Sequence, residues 1–373
     1  MDLSALQIAP RIEEAETLPG WVYASPEVFE LAREGLFREA WISVGSEALP
    51  RVPGEALPLT FAPGLFDEPL VLIRGEDDEL RCLSNVCTHR GMLLLDGRCQ
   101  LKGIRCRYHG RRFGLDGAFR SMPEFQDAES FPRPSDDLPR LELGRLGPLA
   151  FTSLAAGVPF EDWLGPIRER LSFLPWDELR LDAEGARTYR VEANWALYCE
   201  NFLEGFHIPY VHPALAGAID YGSYRTELFE WGTLQLGVAQ DGELAFELPS
   251  DHPDAAEQIA AYYYWLFPTT MLNVYPWGVS LNVVEPLGPD RTRVRFLPYV
   301  WRAELAEQGA GAGLDRVERE DEAIVEAVQR GVSSRLYERG RYSPRRERGV
   351  HHFHCLLSQA LRRRASGAGG GRA

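Results

Sequence analysis

The sequence predicts an α+β protein: a small antiparallel β domain followed by a larger domain in which an antiparallel sheet carries segregated helices. Three observations predict it. A chain of 373 residues is long enough for about two domains of ordinary size. Between Trp41 and Phe151, short apolar runs alternate with Gly, Pro and Asp, as in WISVG, LPLTFAPG and GIRCRYHGRRFGLDGAF. That is the texture of short strands joined by tight turns. Beyond residue 160, strand-like runs continue beside long helical segments, the pattern of an α+β domain.

Taken in order, residues 21–40 read as a helix, with Ser25 as its cap, Pro26 in its first turn, and Val28, Leu31, Ala32 and Leu36 on one face. This N-terminal segment, 1–40, is expected to pack on the second domain. The β domain spans 41–155, with EDDE and LDG as turns. A helical segment around 160–176 (EDWLGPIRERLSFL) opens the second domain, 156–364. Strand-like runs follow at 186–192, 224–239, 243–248, 262–285 and 291–301, with helices at about 194–207 and 314–334. The end of the chain, 365–373 (ASGAGGGRA), reads as a disordered tail. The sequence shows no internal repeat.

Composition narrows the function. Hydrophobic residues make up 45% and charged residues 25%, ordinary for a globular protein, and the net charge is −15. Phosphate binding needs a basic face, so a nucleic-acid partner is not expected. The first twenty residues lack a basic stretch followed by an apolar run, so no secretory signal is expected. No apolar stretch approaches the length of a membrane span. The six cysteines, Cys82, Cys87, Cys99, Cys106, Cys199 and Cys355, are too scattered for a disulfide scaffold. Reduced or metal-bound thiols in the cytoplasm fit better.

The β domain carries Cys87-Thr-His89, then sixteen residues, then Cys106-Arg-Tyr-His109, with Gly91 and Gly110 close behind. Two thiolates and two imidazoles can hold a tetrahedral zinc. They can also hold a [2Fe–2S] cluster, both cysteines on one iron and both histidines on the other. Zinc fingers usually place both cysteines in one knuckle. Here each knuckle supplies one of each, as two loops clamping a cluster from opposite sides require. CTHRG…CRYHGRRF resembles the Rieske domains of ring-hydroxylating oxygenases. Respiratory Rieske proteins add a cysteine to each loop for a disulfide; this sequence has Met92 and Tyr108 there, so it sides with the oxygenases.

A second constellation lies in NWALYCENFLEGFHIPYVHPAL, 194–215. His207 and His212 are five residues apart, which on a straight helix would turn them about 140° from one another. Pro209 and Pro213 bend the chain and let both rings turn toward one point. A pair of core histidines is the other reading. The helix LDRVEREDEAIVEAVQRGV, 314–332, has apolar positions Leu314, Val317, Ile324, Val325, Val328 and Val332. Steps of three and four along that stripe reach Asp321, a carboxylate on the buried face and costly there unless paired or metal-bound. The alternative is a fraying helix with Asp321 near solvent. Two histidines and an aspartate make the facial triad of oxygen-activating Fe(II) enzymes.

These residues also resemble a family. E-x2-H-x4-H, followed about 110 residues later by ED-x2-I-x-E-x-VQ, is similar to the catalytic domain of Rieske non-haem iron oxygenase α-subunits. The resemblance runs from Trp41 through Leu357. It implies a Rieske domain plus a helix-grip (START-like) catalytic domain. It implies that Cys87, His89, Cys106 and His109 hold the cluster, and that His207, His212 and Asp321 hold one mononuclear Fe(II). Glu204 occupies the position of a carboxylate that links a catalytic-iron histidine to the cluster histidine (here His109) of a neighbouring subunit, which implies a homotrimer. The family uses O₂ and NAD(P)H, the latter through a separate flavin/iron–sulfur reductase.

Within the family the sequence is most similar to choline, carnitine and glycine-betaine monooxygenases, on Glu204, NVYPWG (273–278) and GRYSPRRERGVHHFHCLL (340–357). That implies hydroxylation or N-demethylation of a small quaternary ammonium compound. The aromatic-rich YYYWLF (262–267), with Tyr275 and Trp277, either cages such a cation or forms sheet core. Strand alternation puts Tyr262, Tyr264 and Leu266 on one face and Tyr263, Trp265 and Phe267 on the other, so they cannot all line one pocket. His351, His352 and His354 read as a packing motif, Cys199 and Cys355 as small buried apolar residues, and Arg111 and Arg112 as surface or interface cations. Two other functions remain open at this stage: an aromatic ring-hydroxylating dioxygenase, and a Rieske electron carrier with a non-catalytic ligand-binding domain.

Overall fold

Frequent Gly and Pro keep the strands short between Trp41 and Ala156, one of two compact units in the computed structural model. The other unit combines Met1–Ala40 with Gly157–Ala373. The structure describes residues 3–44, 49–306, 308–311 and 314–368. In the first unit, five antiparallel strands run in the order Cys99–Gln100, Glu55–Phe61, Glu68–Arg74, Leu80–Ser84, Arg140–Leu141. Smaller three-stranded sheets are formed by Ile104–Arg105, Arg112–Phe113 and Phe119–Ser121, and by Ile42–Ser43, Leu149–Thr152 and Leu143–Leu146. Val71, Ile73, Leu83, Ile104 and Phe113 pack into a core that also takes in Cys87 and Cys106, so this unit's candidate thiols are anchored in its hydrophobic core.

In the second unit, helix α1 spans Pro26–Ala32 rather than 21–40. The Ser25 hydroxyl accepts from the Val28 amide at 3.2 Å, and an extended Ser25 before Pro26 stops the helix from starting earlier. A 3₁₀ turn (Gly20–Tyr23) precedes it and a π turn (Arg33–Phe37) follows. Helix α2 (Phe160–Arg170) is tied down by a hydrogen bond from the Trp163 indole to the Phe267 carbonyl, 2.8 Å.

The sheet of this unit has eight antiparallel strands. Arg180–Leu181 and Arg187–Val191 both pair with Arg291–Val300, followed by Gly278–Gly288, Thr270–Tyr275, Ile259–Leu266, Gly232–Val238 and Arg225–Phe229. The run 262–285 is therefore three strands, and 224–239 is a hairpin. The expected strand at 243–248 does not form; Phe246 donates one backbone bond to Ile259, but no ladder follows. Alternation along Ile259–Leu266 holds. The Tyr262 hydroxyl meets Asp254 at 3.1 Å beside Arg170 on one face, while Trp265 on the other meets Phe353 at 5.3 Å.

The helix expected over 194–207 breaks into α3 (Trp195–Phe202), α4 (Ile208–Val211) and α5 (Pro213–Ala218). Asn194 caps α3 through the Ala196 amide, 2.9 Å. A Cβ on Gly205 would come within 2.5 Å of the Tyr224 ring, so the break needs a residue with no side chain. Helix α6 spans Leu314–Val332 and α7 spans Arg348–Ala368. The buried stripe of α6 differs from the apolar one: Val325, Gln329 and Val332 are buried, whereas Ile324 and Val328 are exposed. Gln329 turns inward because its amide is bonded at both ends, accepting from the Asn194 amide (2.8 Å) and donating to the Tyr23 carbonyl (3.2 Å). Helix α7 continues through 365–368, against the expectation of a disordered tail from residue 365, extending the Ala- and Arg-rich stretch 360–365 that precedes Gly367. Residues 369–373 lie outside the described residues. Among the described residues, no helix is long and apolar enough to cross a membrane.

Candidate functional site

The two Cys/His segments of the first unit differ in spacing yet fold alike. In each, a glycine amide closes on the cysteine carbonyl four residues back (Gly91 to Cys87 and Gly110 to Cys106, both 3.0 Å). In each, the cysteine amide bonds across the loop (Cys87 to Met92 and Cys106 to Arg111, both 2.8 Å). Gly91 and Gly110 have φ of +69° and +77°, a conformation that disfavours any other residue. The turns bring the Cys87 and Cys106 thiols into mutual hydrogen-bond range and the His89 and His109 rings to 4.9 Å, edge to face. Burial pushes the Cys87 thiol up and holds His89 below its ordinary value, as the neutral imidazole a metal takes.

The Nδ1 atom of His109 is buried without a hydrogen-bond partner, and such an atom is costly unless something binds it. Two thiols, two imidazoles and an unpartnered ring nitrogen fit a [2Fe–2S] cluster. Arg111, read from sequence as a surface or interface cation, lies instead beneath the loops with only 2% exposure. Its guanidinium pairs with Asp136 at 2.6 Å and faces the rings of Phe119 and Phe131. A buried charge needs its counter-ion, and Asp136 supplies it. Arg112 is exposed. The Thr88 hydroxyl and the Arg111 guanidinium both donate to the Asp136 backbone carbonyl, at 2.8 Å and 3.0 Å, so one short segment braces both loops.

In the second unit, His207 and His212 occupy the N-terminal caps of α4 and α5. They sit at chain breaks rather than on one kinked helix, which leaves each ring free to turn. The Nδ1 of His207 meets Glu204 Oε1 at 2.6 Å, and the Nδ1 of His212 meets Glu320 Oε2 at 2.8 Å. The two Nε2 atoms face Asp321 Oδ1, at 3.5 Å and 3.0 Å respectively. Among the described residues this is the one group of three donors within 4.8 Å of one another. Burial opposes a charge on His212, but Asp321 and Glu320 outweigh it and raise its pKa. Carboxylates on the outer ring nitrogens, with the inner ones convergent, are the arrangement of metal-ligating histidines, so the residues fit one iron.

Glu204 also accepts from the amides of Phe206 and His207, which fixes the segment between α3 and α4. Glu320 was missed in the sequence; its signal was adjacency to Asp321 in the ED pair. The other histidines pack. His351 and His352 bond the Ala9 and Phe229 carbonyls at 2.8 Å each, and His354 lies between Tyr342 (2.6 Å) and Glu200 (3.0 Å). Cys199 is buried, and burial pushes its thiol up.

A cavity of about 80 Å³ opens beside the histidines. Its wall includes Tyr198, Tyr224, Tyr263, Tyr275, Asn273 and Glu318. Of the run 262–267 only Tyr263 lines it; Tyr275 also does, with Trp277 stacked behind at 5.2 Å. Burial raises the phenol pKa values of Tyr198, Tyr224, Tyr263 and Tyr275, so all are neutral rings.

Comparison with known proteins places both units. The description "Ring hydroxylating alpha subunit (catalytic domain)" matches residues 179–363, and "Rieske [2Fe-2S] domain" matches 51–132. The chain is 29% identical to the chloroplastic choline monooxygenase of Arabidopsis thaliana, over 97% of this chain and 87% of that protein. It is 28% identical to the carnitine monooxygenase oxygenase subunit of Escherichia coli (strain K12), over 94% and 95%. The crystal structure of the quaternary ammonium Rieske monooxygenase CntA in complex with substrate L-carnitine superposes with a TM-score of 0.72 at 27% identity, covering 96% of this chain and 97% of that one. Naphthalene 1,2-dioxygenase from Rhodococcus sp. shares the fold, with a TM-score of 0.71 at 18% identity and coverage of 92% and 94%.

Proposed function

This chain belongs to the Rieske-type non-haem iron oxygenases, and we propose that it is the terminal oxygenase that hydroxylates a small quaternary ammonium compound with O₂ and electrons from a separate NAD(P)H-dependent reductase. The observation that carries the reading is the convergence of His207, His212 and Asp321 at the wall of an aromatic, acidic cavity. In this reading Cys87, His89, Cys106 and His109 hold the cluster, and the triad holds one iron. When bound, these groups supply single electrons and the activation of O₂.

The protein's own residues do the rest. Glu204 and Glu320 hold the two rings by their outer nitrogens, so each presents one nitrogen inward. Tyr263 and Tyr275 offer neutral ring faces to a cation. Hydroxylation of a carbon on the quaternary nitrogen gives a hemiaminal. Its C–N bond then breaks, the hydroxyl proton leaving as the C=O forms, to release an amine and an aldehyde.

The assembly we propose is a homotrimer in which His109 of one protomer faces Glu204 of the next. Large aromatics are exposed beside each centre: Tyr108 (54%) stacked on His109 at 3.7 Å, and Tyr210 (79%) with Phe206 near His207. Such residues are what a protein–protein contact covers. The test is metal content with product analysis. We expect about three irons per chain, and reductase-dependent oxidation of trimethylammonium substrates with aldehyde release. About two irons per chain and no oxygenation would leave an electron carrier, and cis-diols from arenes would leave a ring dioxygenase.

A further inference from the structure

We propose that the cavity selects a quaternary ammonium compound carrying a hydroxyl but no carboxylate, a choline-like cation, over zwitterions such as carnitine, with Glu318 pairing the ammonium charge. The inference rests on the quaternary-ammonium reading and makes it specific. Glu318 sits on α6, lines the cavity, and takes a hydrogen bond from the Tyr198 hydroxyl at 2.8 Å. Among the described residues, no Arg, Lys or His pairs with it. Glu318 is half-buried; desolvation, and then the nearby Asp321, raise its carboxyl pKa, as for a carboxyl with no cation beside it. A bound cation is the partner it lacks.

The wall has no cationic side chain to pair with a substrate carboxylate. Among the described lining residues none is Lys or Arg, and the outer nitrogens of His207 and His212 are already taken by Glu204 and Glu320. A second observation concerns the substrate's other end. Gln235 is buried, and its amide orientation is set by donation to the Phe202 carbonyl at 2.6 Å. That leaves its Oε1 buried with no partner, as is the Oδ1 of Asn273 on the same wall. Unpartnered acceptors suit a hydroxyl, which donates, and repel a carboxylate, which only accepts. The neutral rings of Tyr263 and Tyr275 complete a site for the trimethylammonium group.

The experiment is calorimetric binding to the metal-loaded protein, paired with reductase-driven O₂ uptake. The probes are choline, L-carnitine, glycine betaine, and 3,3-dimethyl-1-butanol, the neutral isostere of choline. Choline should bind at least about tenfold tighter than either zwitterion, and about a hundredfold tighter than the isostere, as expected when a partly desolvated charge gains or lacks its partner. E318Q should shrink the preference for choline over the isostere by about tenfold, with the trimethyl shape still recognised. Carnitine or glycine betaine binding as tightly as choline overturns the inference and leaves the quaternary-ammonium reading intact. Binding of arenes alone removes both. An E318Q protein with undiminished charge preference removes Glu318 from the role. Should that variant fail to fold, the parent protein's ranking of the four probes still decides whether the cavity selects by charge.

Discussion

Glu320 gives the sharpest test of how the proposed metal centre is built, because it occupies no donor position yet bonds the outer nitrogen of His212. One carboxylate oxygen holds His212 Nδ1 at 2.8 Å and the other holds the exposed Arg316 guanidinium at 2.9 Å. Removing such a carboxylate lets the ring swing and weakens its basicity, typically a loss of 10- to 100-fold in metal affinity. The Glu320→Ala variant should therefore bind Fe(II) about 10- to 100-fold more weakly, close to 1.4–2.7 kcal/mol. The assay is anaerobic competition with a coloured chelator, and Co(II) serves as a check on geometry. Arg316→Ala, which removes only a surface ion pair, should cost less than about 1 kcal/mol. If Glu320→Ala holds iron within twofold of the parent, the ring is positioned by something else and the proposed support fails.

Three further outcomes are expected. Glu204→Gln should retain cluster and iron by metal analysis yet nearly abolish substrate-coupled O₂ uptake; full coupled turnover would remove the proposed bridge between protomers. Arg111→Leu leaves Asp136 without its buried counter-ion and should destabilise the Rieske unit by about 3–5 kcal/mol, read as an earlier urea transition followed by cluster absorbance. The same pair sets an acid limit: burial works against the Asp136 charge, but Arg111 outweighs it and holds the carboxyl below its ordinary value. That stability is complete above the unfolded value of about 3.9 and is lost as pH falls from there through the folded value. Acid unfolding of the parent should therefore steepen below about pH 4, and much less so in Arg111→Leu.

The candidate metal-binding residues stood out in the sequence because such chemistry constrains residue type and spacing together. Two Cys/His pairs, each followed by a glycine, predict matched loops whatever the surrounding sheet does. The irregular elements were less legible. The break after α3 depends on Gly205 passing against the Tyr224 ring, a contact between residues nineteen apart that no local periodicity encodes. The stripe on α6 misled for a similar reason. Ile324 and Val328 look like core, but Gln329 meets the Asn194 amide and the Tyr23 carbonyl, and the helix turns to bury it instead. Arg111 beside a cluster loop reads as a surface cation until Asp136 arrives from 25 residues away. Burial of polar groups is decided by partners distant in the chain, and a single sequence does not display them.

Helix α6 ties the two chemistries together. Glu318 and Asp321 are one turn apart, about 4.5 Å along the axis at the helical rise, and both lie on the wall that faces the histidines. Gln329 fixes the helix against the start of α3 through the Asn194 amide, so the two carboxylates cannot slide independently. A cation paired with Glu318 as proposed would share the cavity with the donor atoms of His207, His212 and Asp321. A substrate with its cation farther along the chain would meet Glu318 and leave its reactive carbon elsewhere in the cavity.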